Sequence, residues 1–99
     1  MEDKALLSDE QVDTKLSGMP GWQRAGGFIQ KTFQFSDFRA INRFLPYLAA
    51  TIVTQNHHPD FNLDTTKKQV YVRATTHSAG STVTQADLDL AEALNAWDC

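Results

Sequence analysis

Apolar positions along the chain switch between a period of three to four and a period of two, and the switches fall at clusters of Gly, Pro, Ser, Thr or Asn that read as turns. Leu7-Ser8-Asp9-Glu10-Gln11-Val12 carries a helix start. Ser8 is placed to cap the first amides, Gln11 to bond back to Ser8, and Leu7 and Val12 to pack as a hydrophobic staple. A short helix over 9–17 follows, ended by Gly18 and Pro20-Gly21. Strands over 22–25 and 28–35 flank Gly26-Gly27, a two-residue loop able to take the positive φ values of a tight hairpin. In the second strand Ile29, Phe33 and Phe35 share one face while Gln30, Thr32 and Gln34 share the other, so one face of this sheet is packed and the other wetter. Trp22 and the phenylalanines read as core.

Ser36 is placed to cap the longest helix, over 37–55, in which Phe38, Ile41, Leu45, Leu48 and Ile52 form an apolar stripe widened by Phe44 and Tyr47. Pro46 lies inside it and deletes the bond to the carbonyl of Asn42, at a cost of about 3 kcal/mol in an ideal helix. The stripe resumes in phase beyond it, which predicts a kink near 42–46 and no break. Phe61 and Leu63 alternate with Asp60, Asn62 and Asp64 as a half-buried strand, and 65–68 make a polar turn. Val70, Val72 and Ala74 then alternate with Tyr71, Arg73 and Thr75, delivering His77 just past a fourth strand. After a loop over 78–83 bent at Gly80, Thr84 is placed to cap a last helix carrying Leu88, Leu90, Ala91, Leu94 and Trp97. Asp87 falls at its third position, where a carboxylate bonds the cap amide and meets the positive end of the helix dipole.

The order α-β-β-α-β-β-α predicts an α+β fold: a four-stranded antiparallel sheet with helices packed on one face. With 99 residues, 41% of them hydrophobic, the chain is expected to form a single globular domain over 1–99. Its net charge of −3, with Lys and Arg scattered, argues against direct nucleic-acid binding. No window nears the roughly 18 to 20 apolar residues of a membrane span, and the polar start Met1-Glu2-Asp3-Lys4 is unlike a signal peptide. The single cysteine, Cys99, cannot form an internal disulfide and fits a reducing compartment. A cytoplasmic protein is expected.

All three histidines fall in two short motifs, Asn56-His57-His58-Pro59 and Thr75-Thr76-His77, separated by a strand-turn-strand run that could bring the imidazoles together. Adjacent side chains point to opposite faces of a strand and sit about 100° apart on a helix. His57 and His58 therefore rarely grip one ion together, and no metal site is expected.

These motifs, with Leu7-Ser8, Gly21-Trp22, Phe33-Gln34-Phe35-Ser36-Asp37-Phe38 and Thr84-x-x-Asp87, resemble the pterin-4a-carbinolamine dehydratases, over about residues 6–97. The resemblance implies dehydration of 4a-hydroxytetrahydropterin to quinonoid dihydropterin in tetrahydrobiopterin recycling, with no cofactor. One group protonates the departing 4a-hydroxyl and another accepts the N5 proton, work suited to imidazoles with pKa near about 6.5. It implies His57, His58 and His77 as catalytic residues, His57 with His77 as the acid/base pair, and His58, Pro59, Thr76 and Asp87 as pterin-binding residues. It also implies a homodimer or homotetramer. The chain departs from the family pattern at Val53, four residues before His57, where a carboxylate or another polar ionisable residue is common. Asp64 to Thr66 stand where an aromatic is usual, the hairpin is about two residues longer, and the loop between His77 and Asp87 is one residue longer. An alternative is therefore a weakly or non-catalytic pterin-binding or protein-dimerisation module of the same fold.

Overall fold

The computed structural model describes residues 5–97; the polar start at 1–4 and the single thiol, Cys99, lie outside them. The elements run α1 (Asp9–Leu16), β1 (Gln23–Ala25), β2 (Phe28–Gln34), α2 (Phe38–Gln55), β3 (Asp60–Asp64), β4 (Gln69–Ala74), a 3-10 turn (His77–Ala79) and α3 (Gln85–Asn95). The four strands are antiparallel in the spatial order β1-β2-β4-β3. This is the α+β arrangement that the periodicity predicts.

The register of β2 on β4 runs from Ile29 opposite Ala74 to Gln34 opposite Gln69. It sets Ile29, Phe33, Val70, Val72 and Ala74 on the helix-covered face, where all are buried. Gln30, Thr32, Tyr71 and Arg73 occupy the other face, and the Tyr71 hydroxyl donates to Gln30 Oε1 at 2.6 Å. Phe44 of α2 fills the centre of the core. It is fully buried, with ring centroids 4.9 Å from Phe33, 5.2 Å from Phe35 and 5.8 Å from Trp97, separations at which tilted and edge-to-face rings attract.

The helix starts follow their side chains. At α1 the Ser8 amide donates to Gln11 Oε1 at 2.8 Å and the Gln11 amide to Ser8 Oγ at 3.1 Å, the reciprocal cap expected. At α2 the cap is Asp37 rather than Ser36: its Oδ1 accepts from the Ala40 amide at 2.9 Å. Asp37 is the residue with extended backbone there, and its carboxylate caps as well as a hydroxyl while adding charge at the positive helix end. Phe38, expected in the stripe, stands at the exposed start of the helix, and the buried line runs through Ile41, Phe44, Leu48 and Thr51. Helix α2 continues unbroken through Pro46. Pro46 and Asn42 are both exposed, where a carbonyl deprived of its helical partner can be satisfied by water.

Strand β3 differs from expectation: all five residues are exposed, Phe61 at 51% and Leu63 at 38%. Their partners across the ladder are the buried Val72 and Val70, so they do point to the helix side. β3 is the sheet edge, however, and the helices do not cover it. Among the described residues, no helix is long and apolar enough to cross a membrane.

Lys31 is the polar exception on the packed face. Its ammonium lies 2.7 Å from Asn95 Oδ1 and 4.5 Å from the Phe33 ring centroid, and burial pushes its pKa down. Asn95 Oδ1 also accepts from Trp22 Nε1 at 2.9 Å, so it keeps a donor if Lys31 is lost. Lys31→Met is therefore expected to leave stability within about 1 kcal/mol of the parent, as read by urea unfolding. A loss well beyond that would mean that the Lys31–Asn95 bond carries the packing of α3 on the sheet.

Candidate active site

Helix α2 ends on Asn56 in the left-handed region (φ 53°), a conformation asparagine tolerates better than most residues. The Asn56 amide donates to the Val53 carbonyl at 3.2 Å and the His57 amide to the Ile52 carbonyl at 3.3 Å, satisfying helix-end carbonyls. The chain then enters β3, whose first residue, Asp60, pairs with Arg73 of β4. Continued past the ladder, that register sets His57 opposite Thr76.

The two residues do converge, and Asp87 is the point of convergence. Asp87 Oδ1 lies 2.5 Å from His57 Nε2. Its Oδ2 accepts from the Thr76 hydroxyl at 2.8 Å and from the Thr84 amide at 2.9 Å. With its hydrogen given to Asp87, the Thr76 hydroxyl accepts from that of Thr84, 2.7 Å away. The whole group is enclosed: Asp87 and Thr84 have no exposed surface, Thr76 has 2% and His57 4%. A carboxylate accepts and does not donate, so this bond places the His57 ring hydrogen on Nε2. Asp87 thus performs the helix-capping role read from the sequence and holds a histidine as well.

His58 and His77 lie differently. Both are exposed, each one residue along the chain from a member of the buried group, and Pro59 beyond His58 is buried. His77 opens the 3-10 turn, which ends on Gly80 in the left-handed region (φ 84°). Val53, one helical turn before His57, is 79% exposed. The structure therefore joins His57, Thr76 and Asp87 directly and leaves His58 and His77 facing solvent. Thr76 and Asp87, expected as pterin contacts, are enclosed, with their side-chain oxygens bonded to protein partners. The Thr84–Asp87 pairing is the one read from the sequence; what sequence reading missed is the bond between the Thr84 and Thr76 hydroxyls and Asn56 as the left-handed residue that precedes His57. An asparagine at the helix end was the available signal for the second. Among the described residues, no three His, Cys, Asp or Glu side chains are grouped to hold a metal ion.

The profile of the family described as Pterin 4 alpha carbinolamine dehydratase matches residues 5–97, the whole span that contains this site. The chain belongs to that family. Relatives are similar along almost their full length. A protein of Roseiflexus sp. (strain RS-1) is 39% identical over 85 residues, 86% of this chain and 88% of the relative. One of Mycobacterium tuberculosis (strain ATCC 25618 / H37Rv) is 36% identical over 92 residues, 93% of this chain and 95% of the relative. Both are named provisionally as pterin-4-alpha-carbinolamine dehydratases. A crystal structure from Brucella melitensis, titled a transcriptional coactivator/pterin dehydratase, superposes with a TM-score of 0.81 at 28% identity, covering 91% of this chain and 95% of that one. Pterin-4a-carbinolamine dehydratases are hydro-lyases, and this chain has the family's fold.

Proposed function

We propose that the chain dehydrates 4a-hydroxytetrahydropterin to quinonoid dihydropterin and water, with His58 and His77 as the acid/base groups and His57 as a buried support. In the reaction the C4a–O bond breaks as the hydroxyl takes a proton and leaves as water. The N5–H bond gives up its proton, and its electrons form the N5=C4a double bond. One imidazolium and one imidazole meet that requirement, and each is regenerated by exchanging its proton with solvent. The observation that carries this reading is the pair of exposed imidazoles, each next along the chain to a member of the enclosed His57–Asp87–Thr76 group. His57, expected in the acid/base pair with His77, is buried against Asp87, whereas His58 is exposed, and on that ground we give His58 the place beside His77. Pro59 fixes the backbone between His58 and β3. We assign the reaction to tetrahydrobiopterin recycling in the cytoplasm, in a homodimer or homotetramer.

The test is the rate of dehydration of freshly generated 4a-hydroxytetrahydropterin, followed with and without the protein. A rate clearly above the spontaneous one is expected. Turnover no faster than the spontaneous rate in folded protein would overturn the proposal. One observation favours a second reading: Val53 presents an apolar, exposed side chain where the family commonly has an ionisable residue. A pterin titration that saturates without turnover would make the chain a binding module.

A further inference from the structure

We propose that Ser81, held in place by Gly27, is the positioning residue of the His77 imidazole; this rests on the acid/base role given to His77 above. Two turns distant in sequence meet beside that histidine. The Gly26-Gly27 turn joining β1 to β2 lies against the loop that follows β4. A Cβ added at Gly27 would stand 2.3 Å from the Ser81 carbonyl oxygen and 3.4 Å from its carbonyl carbon. No side chain fits there, so the two backbones are in direct contact. On its other side the Gly27 carbonyl accepts from the Thr75 hydroxyl at 2.6 Å, which ties the same turn to the residue leading into Thr76-His77. Gly26 is the glycine of the pair with positive φ (62°); Gly27 serves the close approach.

The loop is closed on itself as well. The Thr76 amide donates to the Thr82 carbonyl at 3.0 Å, and the Ser81 amide to the Thr76 carbonyl at 3.1 Å. Gly80 and Ser81 are both left-handed (φ 84° and 56°). A serine held there, where non-glycine side chains are uncommon, is fixed by its surroundings. Its hydroxyl lies 3.3 Å from His77 Nδ1. In the arrangement proposed, the Ser81 hydroxyl oxygen accepts from Nδ1–H, which keeps its hydrogen in both the neutral ring and the imidazolium. Ser81 thereby holds the His77 ring in one orientation and one neutral tautomer through both halves of a proton cycle and leaves Nε2 as the working atom.

The experiment pairs turnover with nitrogen NMR of the His77 ring in Ser81→Ala, Ser81→Gly and Gly27→Ala. Expected for both Ser81 variants is the loss of the single His77 tautomer and a fall in kcat of about tenfold with little change in KM. Gly27→Ala, which displaces Ser81, is expected to move the same signals in the same direction. Ser81→Asn keeps a donor and an acceptor and tolerates positive φ, so it is expected to recover part of both. If the His77 tautomer is unchanged in Ser81→Ala, the inference fails, whatever the activity. It fails also if Ser81→Gly behaves as the parent and only Ser81→Ala is impaired, since backbone strain would then explain the effect. The NMR readout needs no turnover. An inactive parent with the expected tautomer change would overturn the dehydratase reading while leaving the Ser81–His77 contact established.

Discussion

Asp87→Ala is expected to remove about 3 to 5 kcal/mol of folding stability, a large part of the roughly 5 to 15 kcal/mol typical of a domain. The carboxylate is the acceptor shared by His57 Nε2, the Thr76 hydroxyl and the Thr84 amide, all of them buried. Removing it withdraws the partner of three enclosed donors at once, and a buried donor left without an acceptor costs on the order of 1 to 3 kcal/mol. The first turn of α3 loses its reciprocal cap in the same step, worth a further 0.5 to 2 kcal/mol or so. These contributions overlap, because the Thr84 amide is counted in both, so the lower figure is the safer sum. Asp87→Asn keeps the shape but must aim an NH2 group either at the ring hydrogen of His57 or at the Thr76–Thr84 side. It is expected to recover only part of the loss. Urea unfolding of the parent and both variants provides the check, and a loss below about 1 kcal/mol in Asp87→Ala would mean that the group is dispensable to the fold.

His77→Ala is expected to lower turnover by about 10²- to 10⁴-fold, the range for removing a general acid or base, while changing stability by no more than about 0.5 kcal/mol because the side chain is exposed. His58→Ala is expected to behave in the same way. His57→Ala differs: the ring is buried against Asp87, so its removal costs stability along with rate. The pattern across the three variants is therefore more informative than any one rate. Steady-state dehydration kinetics together with unfolding midpoints would read it out. Turnover undiminished in His77→Ala would sink the assignment of roles.

The sequence carried those parts of the fold whose causes are local. Ser8 and Gln11 cap α1 within four residues of each other, and the alternation through Val70, Val72 and Ala74 needs only the pleat of one strand. Elsewhere two local solutions were nearly equal in energy. Ser36 and Asp37 are both good caps, and spacing alone does not say that Phe38, in the first turn, stays exposed while Phe44 is fully buried. The alternation at Phe61 and Leu63 correctly gave their face, but alternation says nothing of whether a strand lies centrally or at an edge, so their exposure could not be read. The site divided in the same way. That His57 and His58 point apart follows from their adjacency. Which of the two turns inward is decided by the left-handed Asn56 and by the distant Asp87, and neither constraint lies in the motif itself. Gly27 was legible as a turn glycine, but the backbone it admits, that of Ser81, belongs to another part of the chain.

Because one carboxylate both caps α3 and holds His57, the site and that helix end form a single cooperative unit. Any fluctuation that frays the first turn of α3 carries the acceptor away from the imidazole, so the lifetime of the ordered site is no longer than that of the turn. The amide of Thr84, bonded to the same oxygen as Thr76, would then exchange with solvent each time that turn opens. Hydrogen exchange at that one backbone position would serve as a clock for the opening of the site.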